Sequence, residues 1–234
     1  MSEALIAPTY GEAFELRRQF RQLYGNGLAL DYLFATVAPT GGQLEAWLAT
    51  DANLAAYQRL IVTAVGASAI CTSATVMAAV VGSTTALAHL RDSDTGRAAL
   101  LNSKTAITAV LANPTAAGAL LASSAARVAL YDHETAWGLL VASANGRNAI
   151  SALAVEHTNG ATTLVMPPGV AVGTRVVLVQ QKISAAGPIS HAGTGADTYS
   201  TTSTAYVDRY VRVAGVGHRT TTAAGASQIR YLIA

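Results

Sequence analysis

The sequence predicts an α+β protein of several domains, in which an α-solenoid of short helices precedes a small all-β, sandwich-like domain. Two observations lead to this expectation. A ten-residue repeat occupies the middle of the chain, and runs of β-branched residues separated by turn residues replace it after about residue 154. We therefore divide the chain into an N-terminal adaptor segment at 1–42, a helical array at 43–153 and a C-terminal β domain at 154–234.

The composition predicts a protein that associates with copies of itself. Charged residues make up 12% of the chain, against about 25% in ordinary soluble domains. A surface poor in charge favours contact with other subunits, and we expect a homo-oligomer, with a trimer favoured. A surface of Thr, Ser and Gly that water covers directly is the alternative interpretation.

Charge and hydropathy patterns argue against two other classes of partner. The net charge is only +2, and the basic cluster of Arg17, Arg18 and Arg21 resembles a solvated helix face, so no nucleic acid is expected. The segment from Leu60 to Leu90 lacks Asp, Glu, Lys and Arg and is long enough to cross a bilayer. Because it is rich in Ser, Thr and Ala and keeps the repeat register, no membrane insertion is expected.

The first 42 residues predict an adaptor that attaches the array to something else. Residues 11–24 form an amphipathic helical pattern, and a second apolar segment at 28–37 ends before Pro39 and a pair of glycines. We interpret this part as a segment that docks on a partner assembly. The alternative is that it only seals the first repeat.

The repeat consists of eleven ten-residue units between residues 43 and 152. Its first position predicts helix N-caps, being Ser, Thr or Asn in nine units: Asn53, Thr63, Ser73, Ser83, Ser93, Ser103, Asn113, Ser123 and Ser143. Position four is Ala or Gly except at Val76, and position eight is aliphatic except at Thr50. Position seven is Ala in eight units, so a typical unit has a cap, two small contact points and an aliphatic anchor.

One continuous helix cannot accommodate this repeat. Ten residues at about 100° each fall roughly 80° short of three full turns, so the anchors would spiral around the helix. Pro114 directly after Asn113 matches the favoured start of a new helix. We predict helices of about two turns that stack on their neighbours and reverse direction at each cap.

The β domain is predicted from four segments, at 161–166, 174–181, 204–215 and 228–234. Turn residues lie between them, as in the Pro-Pro-Gly run at 167–169, and the stretch 184–204 is predicted to be a long exposed loop. The aromatic and basic side chains of the β domain suggest a surface for contact with a sugar or a protein, formed by Tyr199, Tyr206, Arg209, Tyr210 and Arg212. An ordinary sheet surface is the alternative interpretation.

No motif of catalysis, cofactor binding or metal binding emerges from the sequence. The five histidines are scattered, and the glycine runs at 193–195 and 215–217 lack the strand-to-helix context of a phosphate loop. The single cysteine, Cys71, lies among small apolar residues and predicts a buried, inert thiol. We expect a non-enzymatic protein without cofactor or metal.

The decads ATVMAAVVGS, KTAITAVLANPTA and ETAWGLLVAS resemble a Ser-Ala-Thr-Ala-Met-Asn-Ala-Val type of repeat found in virion proteins of tailed bacteriophages, notably tail fibres. This chain departs from that pattern in having more Leu and Arg and the bulky Trp47 and Trp137. The resemblance implies a structural protein of the virion, located on the tail as a fibre, spike or peripheral baseplate component. Its partners would be other virion proteins and a glycan or protein of the host surface. A capsid decoration or neck protein, and a carbohydrate-binding module, remain alternatives.

Overall fold

The computed structural model describes residues 38–186, 190–193, 199–221 and 225–234. The amphipathic segment at 11–24 and the apolar segment at 28–37, on which the adaptor expectation depends, lie outside these ranges. The described residues fall into two compact units, divided between residues 109 and 110, which are taken separately below.

The described part of the chain confirms the predicted series of short helices followed by antiparallel sheets. Eleven consecutive helices are α1 (Gly41–Leu48), α2 (Asp51–Ile61), α3 (Ala64–Thr72), α4 (Ala74–Val81), α5 (Thr84–Asp92), α6 (Asp94–Asn102), α7 (Lys104–Ala112), α8 (Pro114–Ala122), α9 (Ser124–Asp132), α10 (Glu134–Ala142) and α11 (Ala144–Leu153). From α2 onward, only one or two residues separate each helix from the next.

The predicted caps account for these short separations. Ser73 has an extended backbone, and its hydroxyl accepts a hydrogen bond from the N–H of Val76 at 3.2 Å. The side chain of Asn113 accepts from Ala116 N–H at 3.1 Å, with Pro114 at the first helical position. An extended cap residue ends one helix and starts the next, and its side chain satisfies an N–H that the new helix leaves free.

Two positions depart from the predicted cap column. Asn53 is not a cap, because α2 begins directly after Thr50 and Asn53 lies inside this helix. The Nδ2 of Asn53 donates to the carbonyl of Trp47 at 2.8 Å. His133, which the sequence did not identify as a cap, is one. Its Nδ1 accepts from the N–H of Ala136 at 3.2 Å, since a neutral imidazole nitrogen can replace a hydroxyl oxygen.

Three arginines at position five of the repeat bind the end of the preceding helix. The guanidinium of Arg97 donates to the carbonyl of Arg91 at 3.1 Å, and that of Arg147 donates to the carbonyl of Val141 at 2.7 Å. Arg127 makes the same contact with Leu121 at 2.9 Å. These bonds satisfy carbonyls that a helix leaves free at its C-terminus.

Within each unit, a helix packs against its neighbour and against the helix three further along. In the first unit α3 contacts α6 and α1 contacts α4, and in the second unit α8 contacts α11. Hydrogen bonds also join residues about three decads apart. Ser103 Oγ donates to the carbonyl of Cys71 at 2.5 Å, and Asn145 Nδ2 donates to the carbonyl of Leu111 at 2.9 Å. Three decads therefore make one turn of the stack.

This arrangement corrects the expected reversal at each cap. Helices α2 and α3 meet at 97°, close to a right angle. Because a bend of this size does not fold a helix back along the one before it, the helix three further along also comes to lie against the first.

The predicted anchor column is buried. Leu60, Ile70, Val80 and the other aliphatic residues at position eight are at most 1% exposed, whereas Thr50 is exposed. Cys71 is fully buried, and burial raises the pKa of its thiol to about 12, as expected for an inert thiol. In the described residues no single helix is long and apolar enough to cross a membrane, and two helix pairs that would suffice together are bent at their break.

The β domain contains seven described strands in two antiparallel sheets. They are β1 (Val155–Asn159), β2 (Arg175–Ile183), β3 (Ser190–Gly193), β4 (Tyr199–Thr201), β5 (Val207–Ala214), β6 (Gly217–Thr220) and β7 (Ser227–Ile233). One sheet has the order β1-β7-β2-β5 and the other the order β4-β3-β6. Both sheets contribute to one apolar core, which includes Val176, Leu178, Ala192 and Ile229.

Two predicted segments of this domain differ from the structure. Residues 161–166 form no strand and make only one bridge, between Val165 and His218. The predicted loop at 184–204 contains β3 and β4, and its Ser190 and Ala192 are buried. Ser, Gly and Thr suggested an exposed loop, but small polar side chains also fit between two sheets when their hydroxyls find partners.

Candidate functional site in the β domain

The four-stranded sheet has two faces with different neighbours. Alternate residues of its strands, such as Val176 and Leu178 of β2, pack into the core with the three-stranded sheet. The opposite face, which carries Arg212 of β5 and Arg230 of β7, meets the last helices of the array. The sheet therefore lies between a layer of helices and a second sheet.

Arg212 makes the most extensive contact between this sheet and the helices. Its guanidinium donates to the carbonyl of Tyr131 at 2.5 Å and forms an ion pair with Glu134. It also lies 5.7 Å from the ring centroid of Trp137 and 5.9 Å from that of Tyr131. A guanidinium that combines an ion pair with stacking on aromatic rings fixes both direction and distance.

Three further arginines join the same elements. Arg175 of β2 forms an ion pair with Asp132, with Nε 3.0 Å from Oδ1. Arg127 of α9 donates to the carbonyl of Ile233 at 3.2 Å, and Arg230 donates to the carbonyl of Ser151 at 2.9 Å. We name these contacts, together with those of Arg212, the arginine junction.

Tyr210 contributes to the junction from an unusual backbone conformation. Its φ is 47°, where the side chain of a non-glycine residue is strained. The strand pairing is irregular here: Leu178 pairs with Val211 but Gln180 pairs with Asp208, which leaves an extra residue in β5. This bulge directs the Tyr210 hydroxyl to 2.8 Å from the Ser151 hydroxyl of α11.

The structure distributes the five predicted contact residues over two faces. Tyr210 and Arg212 contact the helices. Arg209 lies on the core side, where its guanidinium donates to the carbonyl of Ser200 at 2.7 Å and lies 5.9 Å from the ring of Tyr199. Tyr206 lies on the face opposite the core, with Lys182 Nζ 4.3 Å from its ring centroid. They do not form one continuous patch.

A buried chain of polar side chains connects the two sheets. His157 Nδ1 lies 2.7 Å from His218 Nε2, and His218 Nδ1 lies 2.9 Å from the hydroxyl of Ser227. That hydroxyl is 2.5 Å from the hydroxyl of Ser190, which accepts from Gln181 Nε2 at 3.0 Å. We name these five residues the polar relay. Burial and the neighbouring His157 lower the pKa of His218 to about 4, so His218 is neutral near pH 7.

Sequence reasoning did not find the polar relay. Its members are far apart in the chain, and Ser190, Gln181, Ser227 and His218 are each fully buried. The available signal was their position: each occupies a core-facing place in a strand, where an apolar residue is usual. Because Ser190 and Ser227 have no exposed surface, neither hydroxyl can meet a substrate, and the arrangement supports the fold.

The described side chains include no group of three or more His, Cys, Asp or Glu that could hold a metal ion. The chain matches no protein-family model and no curated protein.

Proposed function

We propose that this protein is a structural component of a bacteriophage particle that holds its β domain at the end of a helical array. The observation that supports this proposal most directly is the arginine junction. Arg212 is bound at once to Tyr131, Glu134 and Trp137, and so resists rotation of the sheet against the last helices. A rigid connection of this kind suits a protein whose task is to position a domain.

A tail location, as part of a fibre, a spike or the baseplate periphery, follows from the resemblance of the decads to tail-fibre repeats. The regular array is compatible with this role, because a capping side chain starts each short helix directly after the one before it. A capsid decoration or neck protein remains the alternative within the same class.

Self-association is supported by the surface of the first unit. Val62, between α2 and α3, and Val65, in the first turn of α3, are 59% and 60% exposed, and no Asp, Glu, Lys or Arg occurs from Leu60 to Leu90. Full burial of an exposed aliphatic side chain contributes about 1.5–3 kcal/mol, and these valines, already partly covered, would each contribute less than that. We expect a homo-oligomer, with a trimer favoured.

Two measurements test this proposal. Antibodies against the chain should label the tail of purified particles in electron micrographs, whereas labelling of the head or neck would favour the alternative. The mass of the purified full chain, measured by light scattering during size-exclusion chromatography, should correspond to an oligomer. A strict monomer at micromolar concentration, together with absence from purified particles, would overturn the structural role.

A carbohydrate-binding module is the second candidate. One observation favours it: the last helices cover only part of the four-stranded sheet and leave a polar area of its outer face accessible.

A further inference from the structure

The four-stranded sheet has an uncovered polar area on the face opposite the core, which we name the open face. Leu232 and Val177, on the same side of the sheet, are buried. Toward the other end of the strands the side chains become polar and at least partly exposed. The open face is formed by Glu156, Thr158, Gln180, Lys182, Tyr206, Asp208, Gln228 and Arg230.

Strand register places four of these side chains in one row across the sheet. Glu156 pairs with Arg230, which pairs with Gln180, which in turn pairs with Asp208. Arg230 Nη1 donates to Gln180 Oε1 at 3.0 Å, and Gln180 Nε2 donates to Asp208 Oδ1 at 2.8 Å. Because these bonds hold the side chains in place, a ligand would meet groups that are already oriented.

Tyr206 supplies an aromatic ring beside this row. It lies immediately before β5, at one edge of the sheet, whereas Glu156 belongs to β1 at the opposite edge. The hydroxyl oxygen of Tyr206 is buried, and this burial, followed by the nearby Glu156, raises the pKa of the phenol. Lys182 Nζ, 4.3 Å from the ring centroid, holds the ring by a cation–π contact.

The chemistry of the open face identifies the kind of ligand it fits. Two carboxylates and two cations, from Glu156, Asp208, Lys182 and Arg230, leave no net charge for attracting a nucleic acid. The open face also lacks the aliphatic anchors of a protein interface. It instead combines donors, acceptors and one ring, and each hydroxyl of a sugar can both donate and accept a hydrogen bond.

We propose that the open face binds a neutral saccharide chain, with the amides and carboxylates bonded to its hydroxyls and the Tyr206 ring against a sugar ring. The binding residues therefore differ from those that the sequence suggested, and of that set only Tyr206 belongs to the open face. This inference rests on the proposed role of the β domain as a presented module, but it concerns a separate property.

The test measures binding of the purified full chain to neutral hexasaccharides of glucose, mannose and galactose by isothermal titration calorimetry. Dextran sulfate serves as the anionic comparison. We expect binding of at least one neutral hexasaccharide, and at least a tenfold higher Kd for Tyr206→Ala and for Gln228→Leu, which keeps the side-chain size but removes the amide. Arg219→Ala changes an exposed side chain of β6 and should leave the Kd unchanged.

The outcomes separate this proposal from the structural one. No binding of any neutral hexasaccharide by the folded chain, or binding that Gln228→Leu leaves unchanged, would overturn the open face as a saccharide site. Binding of dextran sulfate alone, weakened equally by Arg219→Ala, would show attraction by charge and would also overturn it. Labelling of the particle tail depends on none of these results.

Discussion

His157 Nδ1 and His218 Nε2 share a hydrogen bond of 2.7 Å, with their rings 5.0 Å apart and nearly perpendicular. His157 is partly exposed and His218 is fully buried. His157 thus brings one end of the polar relay to the surface of the β domain, and His218 continues it between the two sheets. Two fully protonated imidazoles would place N–H groups against each other, so the relay requires that at least one of these nitrogens accept.

This pair predicts that the β domain loses stability in mild acid. The pKa of His218 is about 4 when folded and near 6.5 when exposed, so the unfolded chain binds its proton more readily. The contribution of the neutral imidazole is complete above about pH 6.5 and is lost as the pH falls toward 4. The loss is about 3 kcal/mol at most. Urea unfolding followed at pH 7, 5.5 and 4 measures it.

The control for this prediction is His218→Gln, which keeps a polar side chain but does not titrate. Its unfolding free energy should be lower than that of the native chain at pH 7 and should change less between pH 6.5 and 4. A native chain that is equally stable at pH 7 and pH 4 would contradict the assigned role of the pair.

A second prediction concerns the close approach of α1 and the end of α4. A Cβ atom added to Gly41 would lie 2.1 Å from the carbonyl carbon of Gly82, so Gly41→Ala should destabilise the first unit by about 1–3 kcal/mol. Gly42→Ala is the matched control, because a Cβ there meets nothing within 4 Å. In the same helix it should stabilise by roughly 0.5–1 kcal/mol. Thermal unfolding of both variants tests the pair, and equal effects would argue against the contact.

The third prediction concerns the arginine junction. Arg212→Ala removes the contacts with Tyr131, Glu134 and Trp137, and amide hydrogen exchange in α9 and α10 should become faster. Arg209→Ala is the control, because its described bonds go only to Gln181 and Ser200 within the β domain. If both variants change exchange in α9 and α10 to the same extent, the junction does not hold these helices.

The fourth prediction concerns the histidine cap of α10. His133→Ala should destabilise by about 1 kcal/mol, because the N–H of Ala136 loses its acceptor. His133→Ser should retain the native stability, since Ser performs this role at Ser143 and elsewhere in the array. The midpoint of urea unfolding distinguishes the variants. An unchanged midpoint in His133→Ala would exclude a capping role.

The helical part was largely predictable because its signals are local. A cap side chain binds an N–H three residues later, as Ser73 does with Val76, so its pattern is visible within one decad. The three-helix turn was not visible, because the angle at each cap depends on the extended backbone of the cap residue and on packing against a helix about thirty residues away.

The β domain was harder to predict because its decisive contacts are distant in sequence. Gln181, Ser190 and Ser227 become partners only when three strands meet, and the Ser- and Gly-rich segment around Ser190 is also typical of a loop. The junction was hidden for the same reason. Arg212 and Glu134 are 78 residues apart, and the alternation of β5 indicated only that Arg212 faces away from the core.

The turn of three decads has a consequence for how the array can change in length. The cap hydroxyl of Ser103 binds the carbonyl of Cys71, and that of Ser93 binds the carbonyl of Ile61, each 32 residues earlier. Because each decad advances the stack by about a third of a turn, a deletion of ten residues would turn the later helices by that angle, whereas a deletion of thirty would preserve their direction. Gene variants of this chain should therefore gain or lose coding sequence in blocks of about ninety nucleotides.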